Sequence, residues 1–315
     1  MLKKLPIACT AIFTALLLFM SAALFAQKPS EQKPLRLFLI GNSFSQNAST
    51  YLPIIAKEAG KALEIGRAEI GGCSLERHWR HVEKAEANPK DPEGKPYKGK
   101  SLRMLLSEGV WDVITLQQNS LASTDVNSYQ PYASQLYKYI KSIQPNAKIV
   151  FHQTWAYRSD AKVFGHIKGA ASTKNHEEMW EKSRAAYHTI AKELNTAIFP
   201  VGDAFHKVVT DKEYAYKKDE KFDFTKPVYP QLPNQDNSLH SGYFWNNKNF
   251  TLDANHAGEA GKYLGSLVWY ACLFDASPKS VKFIPAKVSP EFAKHLKKVA
   301  AKAVKEQDKQ FNLSI

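Results

Sequence analysis

Hydrophobic positions cluster along this chain in short unbroken runs. "LRLFLI" (35–40) has five apolar residues in six, and "WDVITLQ" (111–117) and "AKIVFHQ" (147–153) repeat the pattern. Weaker or shorter runs stand at "ALEIGRAEI" (62–70) and "TAIFPV" (196–201). Runs that are apolar throughout, rather than alternating with polar residues, predict strands covered on both faces, as in a parallel sheet. Amphipathic stretches separate them. One spans 50–59 and closes at Gly60, one is "YASQLYKYIKSI" (132–143) before Pro145-Asn146, and a long one covers 176–194. Strands and helices therefore alternate. The expected fold is a three-layer α/β/α sandwich around a mainly parallel five-stranded sheet.

Some segments break the alternation. "ANPKDPEGKPYKGK" (87–100) reads as a polar Pro/Gly loop, and 211–250, rich in aromatic, Lys and Pro residues, as a second insertion. The main domain is expected over 35–278. A basic C-terminal extension (279–315) with a helix near 286–309 is expected to lie on the periphery, its lysines forming a solvated face. At the other end, "MLKK" precedes 22 residues without charge, the pattern of a secretory signal peptide over 1–26, with a linker at 27–34. The cut is expected after Ala26, with Ala23 as the alternative. A retained anchor is the other use of such a run. Cleavage leaves no stable membrane span and an exported protein, periplasmic or extracellular.

Composition changes this picture little. An apolar content of 44% and a charged content of 23% are ordinary for a globular domain. The net charge of +13 falls by two if Lys3 and Lys4 leave with the signal. Its lysines are scattered, and an exported chain seldom meets nucleic acid, so no nucleic-acid partner is expected. Cys73 and Cys272 remain in the mature chain, and export permits a bridge between them without requiring one. Oligomeric state is left open by the sequence.

Chemistry concentrates at the strand ends. A parallel sheet binds ligands beyond the carboxyl ends of its strands. There stand Gly41-Asn42-Ser43, Gly71-Gly72, Gln117-Gln118-Asn119 and His152-Gln153 with Trp155. Ser43 alone would read as a helix cap. A nucleophilic serine needs a base, and the base an orienting acid. "DANH" (253–256) offers both, with Asp253 three residues before His256.

In this order, "GNSFS", "GG", "LQQNS" and "DANH" resemble the sequence blocks of the SGNH hydrolase (GDSL-type lipase/esterase) superfamily. "IGNSFS", "GGCSLERHW", "ITLQQ" and "HQTWAY" resemble a secreted branch known mainly as a domain of unknown function. The resemblance spans about 35–275. It implies a flavodoxin-like fold, with Ser43 as nucleophile, His256 as base and Asp253 as acid. It also implies an oxyanion hole from the amides of Ser43 and Gly72 (less favourably Gly71) and a side chain at Asn119. The third block reads "QQNS" instead of Gly-x-Asn-Asp, and the first block departs too. Asn42 stands where many relatives have Asp, and Gln117 where they have Gly. The departure in the third block leaves Gln118 open as an alternative carboxamide donor to Asn119.

Substrate contacts are expected from Arg77, His78, Trp79, His152, Gln153 and Trp155. Aromatic faces suit a sugar and Arg a carboxylate, although the aromatics could instead pack the helix layer. His78 and His81 lack a third ligand at useful spacing, so neither metal nor cofactor is expected. The favoured function is a secreted serine esterase. It would remove a small acyl group, acetyl foremost, from a small-molecule or polysaccharide ester through an acyl-enzyme. The alternative is a non-catalytic glycan-binding protein on the same scaffold.

Overall fold

The computed structural model describes residues 33–166, 168–169 and 172–314. The signal peptide and most of the linker expected from the sequence lie outside them. From Leu35 the chain forms one compact unit. Its elements are β1 (Leu35–Gly41), α1 (Ser43–Ala48), α2 (Leu52–Glu58), β2 (Leu63–Glu69), α3 (Leu75–Ala87), α4 (Leu102–Leu106) and β3 (Val113–Leu116). There follow α5 (Tyr132–Ile143), β4 (Lys148–His152), α6 (His176–Glu193), β5 (Ala197–Phe199) and α7 (Val201–Val209). The chain closes with β6 (His240–Asn246), β7 (Asn249–Ala257), α8 (Glu259–Phe274) and α9 (Pro290–Glu306).

β1 to β5 form one parallel sheet in the order β2-β1-β3-β4-β5. This is the flavodoxin-like order, and its switch point lies between β1 and β3. The unbroken apolar runs have a direct cause. Leu37 and Leu39 enter one buried cluster with α1, α2, α7, α8 and α9, while Phe38 and Ile40 enter another with α3, α4, α5 and α6. Successive side chains point to opposite faces of a strand, so covering both faces makes every position apolar.

Two segments depart from expectation. α9 is not peripheral. Phe292, Ala293, Leu296, Val299, Ala300 and Ala303 are buried in the first cluster, and its lysines occupy only the outward face. The insertion over 211–250 contains β6, which pairs antiparallel with β7 as a hairpin outside the main sheet. At its tip Asn247 and Lys248 both have positive φ, 47° and 65°. That is the two-residue turn whose twist suits a hairpin. Arg158 anchors the insertion from beneath. The guanidinium is buried against Asp160 at 2.7 Å, reaches Gln235 at 3.0 Å, and lies between the rings of Tyr216 and Tyr243.

Candidate active site

β1 delivers its last residue, Gly41, to the switch point. A Cβ there would come within 2.6 Å of Ser45 Oγ and 2.9 Å of Gln117 Oε1, so only glycine fits. Asn42 caps α1, its Oδ1 accepting the Phe44 amide at 3.0 Å. Ser43 is thus the first helical residue, and its N–H has no partner within the helix. The Ser43 side chain is half-buried at the sheet's carboxyl edge.

The partner of Ser43 comes from the hairpin. His256 Nε2 lies 2.9 Å from Ser43 Oγ, and Asp253 Oδ2 lies 2.9 Å from His256 Nδ1. On a flat strand, residues three apart would face opposite sides. Here Asp253 Oδ1 accepts the backbone amides of Asn255 and His256 at 3.3 and 3.0 Å, which curls the chain and returns the imidazole to its own carboxylate. A carboxylate only accepts, so Nδ1 carries the proton and Nε2 is free to accept from the serine hydroxyl. Burial works to raise the Asp253 carboxyl. The bonds from the His256 ring and the two amides outweigh it and hold the group below its usual range. His256 is 37% and Asp253 24% exposed, which makes this an open site.

Hydrogen-bond donors stand at the neighbouring strand ends. Gly72 has φ +63°, a left-handed conformation that glycine adopts without strain, and it is exposed. Among the described residues the amides of Gly71 and Gly72 donate no hydrogen bond. Asn119 sends one Nδ2 hydrogen to Gly72 O at 2.7 Å, keeping a second, and its Oδ1 accepts the Leu121 amide. Gln118 does not fit the alternative donor role. Its carboxamide is buried and fully used, accepting from Leu75 N and Asn119 N and donating to Ser128.

Most of the expected substrate contacts turn inward. His78 is fully buried between Tyr97 Oη at 2.7 Å and Gly41 O at 3.1 Å. His152 is buried and takes the Trp269 indole N–H at 3.2 Å. Gln153 is buried and donates to Asp203 at 2.8 Å. Trp155 stacks between Phe44 and Phe205, with centroids at 4.3 and 4.5 Å, and donates to Asn255 O. Trp79 is half-buried edge-on to Tyr139 and bonded to Glu83, so it belongs to the helix layer. Arg77 alone of the six is exposed. Each of the others satisfies a polar group or fills a core gap, which a strand-end position does not reveal.

Three supports were not legible in the sequence. Asn47 Oδ1 accepts the Ala257 amide at 3.0 Å, tying α1 to the end of β7. Trp155 Nε1 holds Asn255 O at 2.9 Å, and the Arg158 amide holds Ala254 O at 2.9 Å. Trp155 was expected at the site as a substrate contact, not as a support. Cys73 and Cys272 are both free thiols. Among the described residues no three His, Cys, Asp or Glu side chains are grouped to hold a metal, and no helix is long and apolar enough to cross a membrane.

Fold and site together define a flavodoxin-like α/β/α protein with a Ser-His-Asp array at its switch point. By sequence the chain belongs to the DUF4886 family, a domain of unknown function, matched over residues 36–211. That span holds Ser43, Gly72 and Asn119 and ends before the hairpin. A crystal structure of a DUF4886 family protein from Bacteroides uniformis ATCC 8492 is similar, with 23% identity, 87% of this chain and 96% of that one covered, and a TM-score of 0.64. A candidate SGNH hydrolase from Slackia heliotrinireducens shares 16% identity over 76% of this chain and 98% of its own, with a TM-score of 0.46. A GDSL-like lipase from Bacteroides thetaiotaomicron VPI-5482 shares 12% over 82% and 95%, with a TM-score of 0.39. Among curated proteins nothing matches.

Proposed function

We propose that this protein is an exported serine esterase that removes a small acyl group, acetyl foremost, from a bulky polar alcohol such as a carbohydrate. One observation carries the reading. Two residues 213 positions apart, Ser43 and His256, meet at 2.9 Å with the imidazole already in the tautomer that accepts a proton. Ser43 Oγ attacks the ester carbonyl carbon while His256 Nε2 takes its proton, and Asp253 stabilises the imidazolium. The oxyanion receives the Ser43 and Gly72 amides and the second Asn119 hydrogen. Collapse expels the alkoxide, which takes the proton from His256. Water, deprotonated by the same nitrogen, then releases the acid and frees Ser43.

The open site suits an acyl group borne on a large alcohol better than an enclosed chain. With Trp155 and His152 turned inward, the carbohydrate reading rests on that openness and not on an aromatic pocket. Hydrolysis of p-nitrophenyl acetate by the wild type and Ser43→Ala tests the proposal. Loss of turnover by about 1,000-fold or more is expected, since a triad works as a unit. Equal rates would overturn it and favour the non-catalytic glycan-binding alternative.

A further inference from the structure

We propose that Asn42 and Gln117 act as one clamp that sets the spacing of the oxyanion donors, and that position 42 must carry an amide to do so. The inference rests on the esterase reading above. Both residues stand at places where this chain departs from the SGNH pattern, and both are 1% exposed. The orientation of Asn42 is forced. The backbone N–H of Phe44 can only donate, so the atom 3.0 Å from it is Oδ1. Nδ2 is then the atom 2.9 Å from Cys73 O, an obligatory acceptor. Gln117 lies 2.6 Å from Asn42 Oδ1, so its contacting atom must be the donor Nε2. That leaves Gln117 Oε1 buried without a hydrogen-bond partner among the described residues. A buried unpaired acceptor is unfavourable. The bond from the amino group of the same carboxamide to Asn42 offsets that cost.

The clamp joins three chain segments at one side chain. Asn42 holds the start of α1 through Phe44, the turn after β2 through Cys73, and the end of β3 through Gln117. These segments carry Ser43, Gly72 and Asn119. Asn119 Nδ2 to Gly72 O closes the web on the open side. An aspartate at 42 would keep the bonds from Phe44 and Gln117, but its second oxygen would face the Cys73 carbonyl with no hydrogen to give. The Asn-for-Asp and Gln-for-Gly departures are therefore coupled parts of one arrangement. Asn42 and Gln117 are positioning residues and touch no substrate.

The test is Asn42→Asp and Gln117→Leu, assayed on p-nitrophenyl acetate beside wild type and Ser43→Ala. A fall in kcat of about 100-fold is expected for Asn42→Asp, the scale of a misplaced reacting group, with KM little changed. Its activity relative to wild type should climb as pH falls, because a buried carboxyl that gains a proton can again donate to Cys73 O. Gln117→Leu should also lower kcat with KM little changed. Because it removes the orphan acceptor together with the donor, its melting temperature should not fall in step, which keeps the proposal testable if Asn42→Asp folds poorly. Ser43-dependent turnover within about twofold of wild type in both variants would overturn the clamp. A deficit in Asn42→Asp that is the same at every pH would overturn the amide requirement. Absence of Ser43-dependent turnover in the wild type would overturn the esterase reading, and the clamp's purpose with it.

Discussion

Three buried histidines make the fold sensitive to mild acid. His78 and His152 are fully buried and His240 nearly so. Burial pushes their pKa values from 6.5 to about 4, about 3 and about 4. Each is neutral in the native state for a structural reason. His78 Nε2 donates to Gly41 O, so Nδ1 accepts from Tyr97. His152 accepts the Trp269 indole N–H and lies edge-on to Trp155 and Trp269. His240 Nε2 donates to Ala156 O at 3.0 Å. The unfolded chain titrates these groups near 6.5 and the native chain near 3 to 4. Between those limits the unfolded state holds up to three protons that the native state refuses. Stability is therefore full above about pH 6.5 and is lost as pH falls, at up to about 4 kcal/mol per pH unit. At pH 5 each histidine accounts for about 2 kcal/mol and the three for about 6 kcal/mol, a large share of the roughly 5–15 kcal/mol typical of a folded protein. Urea unfolding at pH 7.5, 6 and 5 measures this directly. His152→Leu should lower stability at every pH, since Trp269 loses its acceptor. It should reduce the difference between pH 7.5 and 5 by about 2 kcal/mol, the share of one such histidine. An unchanged pH difference in that variant, or a wild type equally stable at pH 7.5 and 5, would refute the reasoning.

Asn119→Ala should lower kcat about 100-fold or more with little change in KM, as its second hydrogen bonds an oxyanion only when charge develops. Gln118→Ala should instead lower the melting temperature, because its carboxamide links Leu75, Asn119 and Ser128; steady-state kinetics beside thermal melts separates the two, and the reverse pattern would move the donor role to Gln118. Arg158→Ala should cost about 3 kcal/mol in denaturant unfolding, at the low end for a buried pair, because Asp160 loses its partner while only partly shielded from water. It should also lower esterase activity below the melting transition, because the hairpin bearing Asp253 and His256 loses its anchor.

β1, β3, β4 and β5 were legible because burial on both faces leaves no ambiguity of period, whereas β2, an edge strand with only Ala68 fully buried, gave a weaker run. Helix α5 was legible from its amphipathic period and the Pro-Asn that ends it. The order of polar strand ends was legible for the same reason, since a parallel sheet puts all of them on one edge. What remained hidden depends on side-chain direction. Trp155 follows β4 by three residues, yet its ring passes inward between Phe44 and Phe205. Lysine density suggested a solvated α9, while Phe292, Leu296, Val299 and Ala303 at helical spacing describe the stripe it buries. The β6–β7 hairpin was missed because Asn247-Lys248 lacks the glycine that usually marks such a turn.

That missed hairpin changes how the site is understood. Ser43, Gly72 and Asn119 stand at ends of the main sheet, whose strands fix one another by register. Asp253 and His256 stand on an element with no strand pairing to that sheet. Besides the burial of Leu239 and Ala257 in the main apolar cluster, its polar ties are Ala257 N to Asn47, Asn255 O to Trp155, Ala254 O to the Arg158 amide, and the Arg158–Asp160 pair below. The inward turn of Trp155 and Arg158 then has a use. These residues turn away from the surface and hold His256 at hydrogen-bond distance from Ser43. Of the residues expected to meet a substrate, Arg77 remains exposed, as does the Gly71-Gly72 turn. The stretch "HQTWAY" (152–157) and Arg158 after it thus support the Ser43-His256-Asp253 array from behind.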